Sequence, residues 1–442
     1  MTLALAGGRV LTSLDPVRLI DADVVVEGRR IQAIGAAPAS SPRLDCSGCL
    51  VMPGNVCAHT HLYSSLARGM PYTLEPPANF IQILQRVWWR LDRALDEESI
   101  RASALVGGVE AMLSGTTTVI DHHASPRAID GSLDVLAGAL EEVGLRSILC
   151  YETTDRDGEQ AAAAGVQENR RFLEAARRPL ARGMVGAHAS FTLSPETLDA
   201  CVDVARSGGA GIHVHVAEDF ADQVDSEARF GMSVAERLAK AGALTKDALL
   251  AHCVYLSPSE LRIAVESGTT IAHNTRSNMN NSVGRALVEA LGDRVALGTD
   301  GIGADMFAES QAAHWRAREA AVFAQPTETL ARLANGARFA GGVFGEPSLG
   351  RIEAGAPADL VVLDYRPPAP LTDETFGAHW MFGLSARHVR DVMVDGEMAV
   401  RDRRVTKLDQ DKVFADASAA ADLLFARLET IEPHPFQPAG VP

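Results

Sequence analysis

The chain has 442 residues, of which 47% are hydrophobic, and its 41 basic and 57 acidic residues give a net charge of -16. This length and composition fit a large globular protein and exclude a disordered one. The acidic balance argues against nucleic acid or an anionic membrane as the main partner. No apolar run reaches the roughly 18 residues that a membrane span needs. The six cysteines are scattered and no basic signal-peptide region is evident, so we expect a reduced, cytoplasmic protein.

Both ends of the chain read as short β-strands separated by tight turns. The run over residues 23–27 is followed by Gly28, a hairpin signal, and Asp395-Gly396 separates two apolar runs near the other end. We therefore predict one small composite β-sandwich domain built from residues 1–54 and 359–410. Residues 411–442 are predicted to form a terminal helix over 411–428 and a proline-rich tail on the surface.

The middle of the chain, residues 55–358, alternates helical patterns with short apolar runs. Helices are predicted over 98–113, 133–143, 195–206, 234–241 and 309–324. Apolar runs near residues 51, 118, 148, 185, 213, 249, 271 and 296 supply eight strands. Such alternation gives parallel βα units, and eight of them close into a barrel. We therefore predict an α/β fold with a (β/α)8 TIM barrel as the catalytic domain.

Histidines and acids recur where these predicted strands end. His59 and His61 close the first run, and residues two apart on a strand point to the same face. Polar side chains also end four further runs: His213 and His215 with Glu218, then His252, His273 and Asp300. Active sites of α/β barrels gather at the carboxyl ends of the strands, and neutral imidazole is a good zinc ligand. The pattern therefore predicts a metal site.

Each of these residues also has a structural interpretation. Paired histidines such as His59 and His61 occur on solvated strands, so this pair alone is a weak signal. Glu218 suits the start of a helix, where a carboxylate is stabilised by the helix dipole. His252 fits a hydrogen-bonded core histidine. The metal hypothesis depends on how regularly such residues coincide with strand ends.

The order of these residues resembles the amidohydrolase superfamily: His-x-His, then His-x-x-Glu, a lone histidine, and Asp-Gly after Gly-Thr. The segment 118–123, Thr-Val-Ile-Asp-His-His, resembles its deaminase and chlorohydrolase branch. The segments 80–92, 150–158 and 274–279 resemble SsnA-type aminohydrolases more closely. The resemblance covers nearly the whole chain, but it supplies no substrate.

The resemblance implies a role for each motif residue. The metal ligands would be His59, His61, His215 and Asp300. Glu218 would shuttle protons, and His252 would contact the metal-activated water or the substrate, with Asp300 also accepting a proton. Relatives with two metals carry a lysine at the end of the fourth strand, where this chain has Val185-Gly-Ala-His188. We therefore expect one divalent metal ion per chain, Zn2+ in the first place and Fe2+ in the second.

Further residues near strand ends are candidates for substrate contact, with ordinary loop or core roles as the alternative. These candidates are His188, Glu152, Asn278 and His122, and His123 is open to the same two interpretations. Asp121 is a candidate for orienting a ligand histidine. His213 is interpreted as a packing group. Of the adjacent Trp88 and Trp89, which face different ways on a helix, we expect at most one to line a pocket.

The predicted function is a metal-dependent aminohydrolase that attacks a C–NH2 or amidine carbon of a small nitrogen heterocycle. Hydrolysis of a C–Cl bond or a cyclic amide at the same metal is the alternative within enzymes. A non-catalytic barrel that serves as an interaction protein is the alternative outside them. We expect a small-molecule substrate and a homo-oligomer, a dimer or higher.

Overall fold

A computed structural model describes residues 2–441, and eight parallel strands form its centre. In chain order, these central strands are Asn55–Thr60, Thr116–His123, Arg146–Tyr151, Val185–Ala189, Ile212–Val216, Leu249–His252, Thr270–His273 and Val295–Leu297. The first three form one sheet together with the short strand Ala181–Gly183, and the last five form another. Every neighbouring pair within these two sheets is parallel, as the alternation of helical and apolar runs predicts.

Main-chain hydrogen bonds also link the two central sheets at their outer edges. The amide of Thr299, after the eighth strand, donates to the carbonyl of His59 on the first strand at 2.7 Å. At the other junction, the amide of Met184 donates to the carbonyl of Leu149 at 3.0 Å. Small and branched apolar side chains fill the space between the strands, among them Val56, Ile120 and Leu249. The carboxyl ends of all eight strands are therefore brought to one side.

Helices connect the strands, and their bounds follow local capping signals. The α-helices are Phe80–Ile83, Trp89–Ala94, Glu97–Leu113, Ser132–Val143, Glu159–Glu174, Pro195–Gly208, Phe220–Phe230, Val234–Ala241, Pro258–Glu266, Thr275–Asn280, Met306–Glu319, Pro326–Phe344, Phe376–Phe382 and Gln410–Leu428. A capping box of Ser233 and Glu236 starts Val234–Ala241, and Gly242 ends it in the left-handed region. No helix within residues 2–441 is long and apolar enough to cross a membrane.

The chain ends form two further sheets. One orders the strands Arg30–Gly35, Asp23–Glu27, Thr2–Ala6 and Arg43–Asp45. The other orders Arg404–Val405, Glu397–Arg401, Val389–Val394, Leu360–Leu363, Leu50–Pro53, Arg9–Leu14 and Val17–Asp21. The C-terminal strand Leu360–Leu363 pairs with the N-terminal strand Leu50–Pro53 in this second sheet, so strands from both ends of the chain share one sheet. Apolar side chains of both sheets pack into one cluster, including Leu5, Val51 and Leu360.

Three features differ from the sequence predictions. The apolar run near residue 51 is Leu50–Pro53 of the seven-stranded terminal sheet, and the first central strand is the adjacent Asn55–Thr60. The helix predicted over 309–324 is Met306–Glu319, because Asp305 caps its start and Ala321 has a positive φ of 59°. The C-terminal tail is only partly exposed, because Ile431 and His434 are buried whereas Glu432 and Gln437 are exposed.

Candidate metal centre and active site

Four side chains from three central strands converge at the carboxyl ends of the strands. His59 and His61 come from the end of the first strand, His215 from the fifth, and Asp300 follows the eighth. Oδ1 of Asp300 lies 3.3 Å from Nε2 of His59 and 2.9 Å from Nε2 of His61. Nε2 of His61 lies 3.1 Å from Nε2 of His215. The ligand atoms of all four residues lie within 4.8 Å of one another, so the predicted set forms one cluster.

The ring nitrogens that face away from this cluster are held by fixed partners. Nδ1 of His61 lies 2.5 Å from the carbonyl of His122, and Nδ1 of His215 lies 2.8 Å from the carbonyl of His188. A ring that donates from Nδ1 to a carbonyl presents a lone pair at Nε2. Two of the three histidines are therefore oriented for metal binding by main-chain carbonyls.

His59 is oriented by a histidine. Its Nδ1 lies 2.9 Å from Nε2 of His213, which is fully buried on the fifth strand. The sequence analysis interpreted His213 as packing, and this hydrogen bond to a ligand-cluster residue is a role it missed. The spacing of His213 and His215, two residues apart on one strand face, was the available signal.

Burial and mutual contacts set the charges in the cluster. Burial lowers the pKa of His59 to about 3 and the pKa of His215 well below its usual value, so both rings are neutral. Burial would raise the pKa of Asp300, but its contacts with His59 and His61 hold that pKa well below its usual range. Its second oxygen accepts the hydroxyl of Ser277. Neutral rings beside an ionised carboxylate are the form in which these groups bind a metal.

Glu218 and His252 lie beside Asp300 and form a second group with it. Ligand atoms of Glu218, His252 and Asp300 lie within 4.8 Å of one another. Burial raises the pKa of Glu218 to about 7, and His252 partly opposes this shift. Nδ2 of Asn281 donates to Glu218 at 3.2 Å, and Nδ1 of His252 lies 2.8 Å from Oδ1 of Asn278. Glu218 therefore can exchange a proton near neutral pH, the property that a general acid–base group needs.

The backbone adopts a left-handed conformation at or just after the ends of three central strands. Ala217, His252 and Asp300 have φ values of 44°, 73° and 54°, which residues other than glycine rarely adopt. Such conformations persist only where the surrounding structure enforces them, and they cluster at functional sites.

A cavity opens over the ligand cluster and has mainly aromatic walls. His61, His215, Glu218 and Asp300 lie at its base. Its aromatic side chains are Tyr63, Phe80, Trp88, Trp89 and Phe191. Both tryptophans line it, so the prediction that at most one would do so is wrong. The turn Leu84–Trp88 is a π-helix, and Trp89 begins the α-helix that follows it.

The substrate-contact candidates divide between the cavity wall and the layer behind it. Glu152 and His188 line the cavity, whereas Asn278 lies behind and holds His252. His122 also lies behind, with Nδ1 3.2 Å from Glu152 and Nε2 3.1 Å from the carbonyl of His213. Ligand atoms of His61, His122, Glu152 and His215 form a third group within 4.8 Å.

Three other residues from the sequence analysis have local partners. Asp121 accepts the amide of Leu62 at 2.6 Å and bonds to no histidine among the described residues, so it does not orient a ligand ring. His123 lies 2.9 Å from the hydroxyl of Ser125. His273 lies 2.8 Å from the hydroxyl of Thr275 and outside the ligand cluster.

Comparisons with known proteins place this architecture in a family. The model of the amidohydrolase family matches residues 50–399, most of the chain. The chain belongs to the amidohydrolase family. It is 30% identical over 423 residues to a 5'-deoxyadenosine deaminase of Methanosarcina mazei, with 92% of this chain and 94% of the relative covered. It is 32% identical over 417 residues to a 5-methylthioadenosine/S-adenosylhomocysteine deaminase of Desulforudis audaxviator, with 90% and 94% covered.

Solved structures share the fold of this amidohydrolase. An adenosine deaminase from Xanthomonas campestris with bound zinc superposes with a TM-score of 0.81 at 22% identity, covering 97% of this chain and 99% of that one. The predicted superfamily and its deaminase and chlorohydrolase branch are confirmed. The relatives' names agree with the predicted enzyme class, a hydrolase acting on C–N bonds in cyclic amidines. The closer likeness to SsnA-type proteins stays a prediction.

The donor set of this amidohydrolase fits a divalent metal of the zinc type. Three imidazole nitrogens and a carboxylate oxygen are a common zinc environment. Nε2 of His59 is buried and has no hydrogen-bond partner among residues 2–441, and Oδ1 of Asp300, another ligand atom of the cluster, lies 3.3 Å from it, so this nitrogen is available to a metal. Burial would lower the pKa of His61, but Asp300 raises it to about 9, so a metal bound there displaces a proton. The predicted metal cofactor is thus supported by a cluster able to bind it.

Proposed function

We propose that this amidohydrolase is a metal-dependent aminohydrolase that releases ammonia from a C–NH2 carbon of a small nitrogen heterocycle. The observation that carries the proposal is the convergence of His59, His61, His215 and Asp300 at one point, with Glu218 and His252 beside them. Its named relatives make adenosine derivatives the first substrates to test. The aromatic side chains that line the cavity favour a planar substrate, because aromatic rings stack on flat heterocycles.

We assign the metal site to His59, His61, His215 and Asp300, with one zinc or other divalent ion per chain. Zinc in the Xanthomonas campestris enzyme of the same fold supports zinc as the first metal to try. A metal held by such a set lowers the pKa of water from about 15.7 to near 7 and so supplies hydroxide at neutral pH. The fourth strand ends beside His188 and has no lysine, which supports a single metal.

Glu218 is assigned to proton transfer at the substrate. A carboxyl group with a pKa near 7 is partly protonated at neutral pH, so it can donate to the ring nitrogen next to the attacked carbon. Protonation there makes the carbon a better electrophile and prepares the C–NH2 bond to break. Asn281 holds one oxygen of Glu218, which fixes the direction from which the proton is delivered. Such a step contributes about 10² to 10⁴ in rate.

His252 is assigned to the oxygen that adds to the carbon. Its Nδ1 is held by Asn278, so the other nitrogen, Nε2, is the one that faces the reacting group. That Nε2 atom is buried and has no hydrogen-bond partner in the described residues. Donation from Nε2 of His252 would stabilise a developing oxyanion, and Asp300 would accept the proton of the attacking water and pass it to the departing amine.

An ammonia-release screen of zinc-loaded protein tests the proposal. The screen covers purines and their nucleosides, pyrimidines, pterins and triazines, with 5'-deoxyadenosine included, and records ammonia and chloride together. We expect ammonia from at least one amine-bearing ring, and release that is slower by about 10² to 10⁴ with Glu218→Gln at the same metal content. Chloride without ammonia would favour dechlorination, and ring opening without either would favour cyclic amide hydrolysis. Ester or phosphate hydrolysis alone would refute the deaminase proposal.

We also propose the architecture in which this site works. Residues 55–358 would form a closed (β/α)8 barrel, supported by the edge hydrogen bonds of Thr299 and Met184. Residues 1–54 and 359–410 would form a β-sandwich domain, and 411–442 a helix with its tail. A homo-oligomer is supported by the adjacent exposed rings of Trp315 and Phe382. A cytoplasmic location is supported by six free cysteines.

A further inference from the structure

A buried chain of charged side chains ends at the cavity wall, and none of the proposed proton-transfer steps uses it. Arg156 pairs with Asp92 through one nitrogen and donates from another to Oε1 of Glu152 at 2.9 Å. Oε2 of Glu152 lies 3.2 Å from Nδ1 of His122. The side chains of Asp92, Arg156 and Glu152 are at most 4% exposed, and that of His122 is fully buried.

This arrangement fixes the carboxylate of Glu152 in one position. Buried ions are costly to desolvate unless each has a close partner, and here every member contacts the next. Among residues 2–441, each oxygen of Glu152 has one hydrogen-bond partner, Arg156 or His122, and Nε2 of His188 lies 3.9 Å from Oε1. A carboxylate oxygen has room for two hydrogen bonds. The network therefore holds Glu152 rigidly and leaves it free to accept a further hydrogen bond.

Glu152 and Glu218 approach different members of the ligand cluster. An oxygen of Glu152 lies within 4.8 Å of ligand atoms of His61 and His215, together with His122. Glu218 is grouped instead with His252 and Asp300. Both glutamates line the same cavity. A group held in this cavity therefore meets both carboxyl groups, each beside a different part of the ligand cluster.

The charge of the wall restricts what can bind beside Glu152. Among the described residues that line the cavity there is no lysine or arginine, whereas Glu152, Glu218 and Asp219 are all present. Trp88 adds an aromatic ring, which can attract cations and stack on planar rings, whereas the ring of Trp89 already has the guanidinium of Arg156 over it, 5.2 Å from its centroid. An ionised carboxylate in such a wall favours N–H and O–H donors and disfavours carboxylate and phosphate groups.

We propose that Glu152 is a substrate-binding residue that selects uncharged or cationic substrates with an N–H or O–H donor beside the reacting carbon. Arg156 and His122 are positioning residues that hold its carboxylate. The selection of substrate rests on the proposed function, since it concerns the same cavity. The binding of a donor by Glu152 does not depend on which reaction follows.

A binding measurement tests the assignment without turnover. Benzamidine, a planar cation with N–H donors, is titrated into zinc-loaded wild-type protein, Glu152→Gln and Glu168→Gln, with benzoate as the anionic counterpart. Glu168 is a matched control because it is a buried glutamate held by Arg171 and by the amides of Gly131 and Leu133, away from the cavity. A hydrogen bond to a charged group corresponds to about tenfold or more in affinity. We expect Glu152→Gln to lose that much benzamidine affinity and Glu168→Gln to lose none.

Turnover then identifies the source of the donor. The kcat/KM for ammonia release is compared for adenosine and 2',3'-dideoxyadenosine, in wild type and Glu152→Gln. If Glu152 binds sugar hydroxyls, the dideoxy substrate and the Glu152→Gln substitution each lower kcat/KM by about the same factor. Combining the two changes then lowers kcat/KM no further. If it binds a ring or exocyclic N–H, Glu152→Gln lowers kcat/KM equally for both nucleosides. Zinc content must stay at the wild-type level in either case.

The outcomes separate this inference from the proposed function. Loss of benzamidine binding in Glu152→Gln without ammonia from any substrate supports the Glu152 assignment and refutes deamination. Ammonia release with unchanged benzamidine affinity and unchanged kcat/KM in Glu152→Gln overturns the assignment and leaves deamination standing. Tight binding of benzoate by the wild type, equal to that of benzamidine, would also overturn it. If Glu152→Gln does not fold, Glu152→Asp replaces it, with the same expected losses because the shorter side chain withdraws the carboxylate.

Discussion

At the scale of single residues, the three histidines proposed as metal ligands are held by hydrogen bonds on the side of the ring that faces away from the cluster. His61 and His215 bond to main-chain carbonyls, which no substitution of a side chain removes directly. His59 instead bonds to a side chain, that of His213. His59 is therefore the ligand whose orientation can be tested by a substitution that leaves every proposed ligand in place.

Replacing His213 tests this orientation. With His213→Leu, Nδ1 of His59 loses its partner, and we expect metal affinity to fall about 10- to 100-fold. His213→Gln can still accept the hydrogen bond and should recover most of that affinity. Competition with a chromophoric chelator measures zinc affinity in both variants. Unchanged affinity in His213→Leu would assign His213 to packing alone.

A second set of variants distinguishes residues that bind the metal from residues that transfer protons. His59→Ala and Asp300→Ala each remove a ligand atom from the cluster, so we expect loss of bound metal. Glu218→Gln keeps the shape of the side chain and removes only its exchangeable proton, so metal stays and kcat falls by about 10² to 10⁴. Elemental analysis and kcat measured on the same preparations decide between these roles. A fully active Glu218→Gln enzyme would exclude Glu218 from the mechanism.

The sequence predicted the converging residues better than the contacts between them. Residues two apart on a strand share a face, and strand ends share an edge, so His59, His61, His215 and Asp300 could be grouped from spacing and family resemblance. The hydrogen bond between His59 and His213 joins two strands that are far apart in sequence. The real partner of Asp121, the amide of Leu62, depends on a turn that no periodicity specifies.

At the scale of elements, the eighth central strand must approach the first closely to bring Asp300 to the histidines. Gly298 makes this possible, because a Cβ there would lie 2.7 Å from Cβ of His59 and 2.4 Å from Oδ1 of Asn274. The amide of Thr299 then donates to the carbonyl of His59. The absence of a side chain at position 298 is therefore a condition for the site.

Gly298→Ala should separate these strands. We expect a loss of about 1–3 kcal/mol in the free energy of unfolding, since overpacking of a tight contact costs that much, together with weaker metal binding. Gly342→Ala is the control, because a Cβ there meets nothing within 4 Å on the helix Pro326–Phe344. The control should be neutral or more stable by about 1 kcal/mol. Denaturant unfolding with zinc analysis checks both; an unaffected Gly298→Ala protein would contradict the close approach.

The predicted helix bounds agree with the structure where the sequence contains clear capping residues at both ends. The helix Val234–Ala241 lies where predicted, between a Ser233 capping box and Gly242. The helix Met306–Glu319 starts earlier than predicted because Asp305 accepts amides from Phe307 and Ala308. Hydrophobic periodicity alone does not reveal such a cap, so it does not locate the start of this helix. The apolar run at Leu50–Pro53 was predicted to be the first central strand. Its sequence does not distinguish the two sheets, because a buried strand is apolar in either one.

At the scale of the whole molecule, all six cysteines are free and buried. Burial raises the pKa of Cys46 to about 12 and the pKa of Cys57 to about 11. Because the thiolate is the reactive form, a raised pKa and burial both slow modification. We expect almost no reaction with a disulfide reagent at about pH 8 in the native protein and six equivalents after denaturation. Rapid modification of the native protein would contradict this burial.

The C-terminal tail contacts the rest of the protein through several buried side chains, which the sequence did not predict. A proline-rich stretch carries no periodic signal, so its packing could not be inferred from pattern. In the structure, the ring of His434 contacts that of Trp89 at 5.3 Å, and the guanidinium of Arg90 donates to the carbonyl of Ile431. The tail therefore supports the helix that carries one aromatic wall of the cavity.

The central claim is that one metal, held by His59, His61, His215 and Asp300, enables hydrolytic deamination. Ammonia release by chelator-treated protein, measured as zinc is added back in steps, tests it most directly, with the best substrate from the screen. We predict that the rate is negligible without metal, rises with added zinc and reaches its plateau at one equivalent per chain. Full activity without metal, a plateau that requires two equivalents, or no ammonia at any zinc loading would contradict the claim.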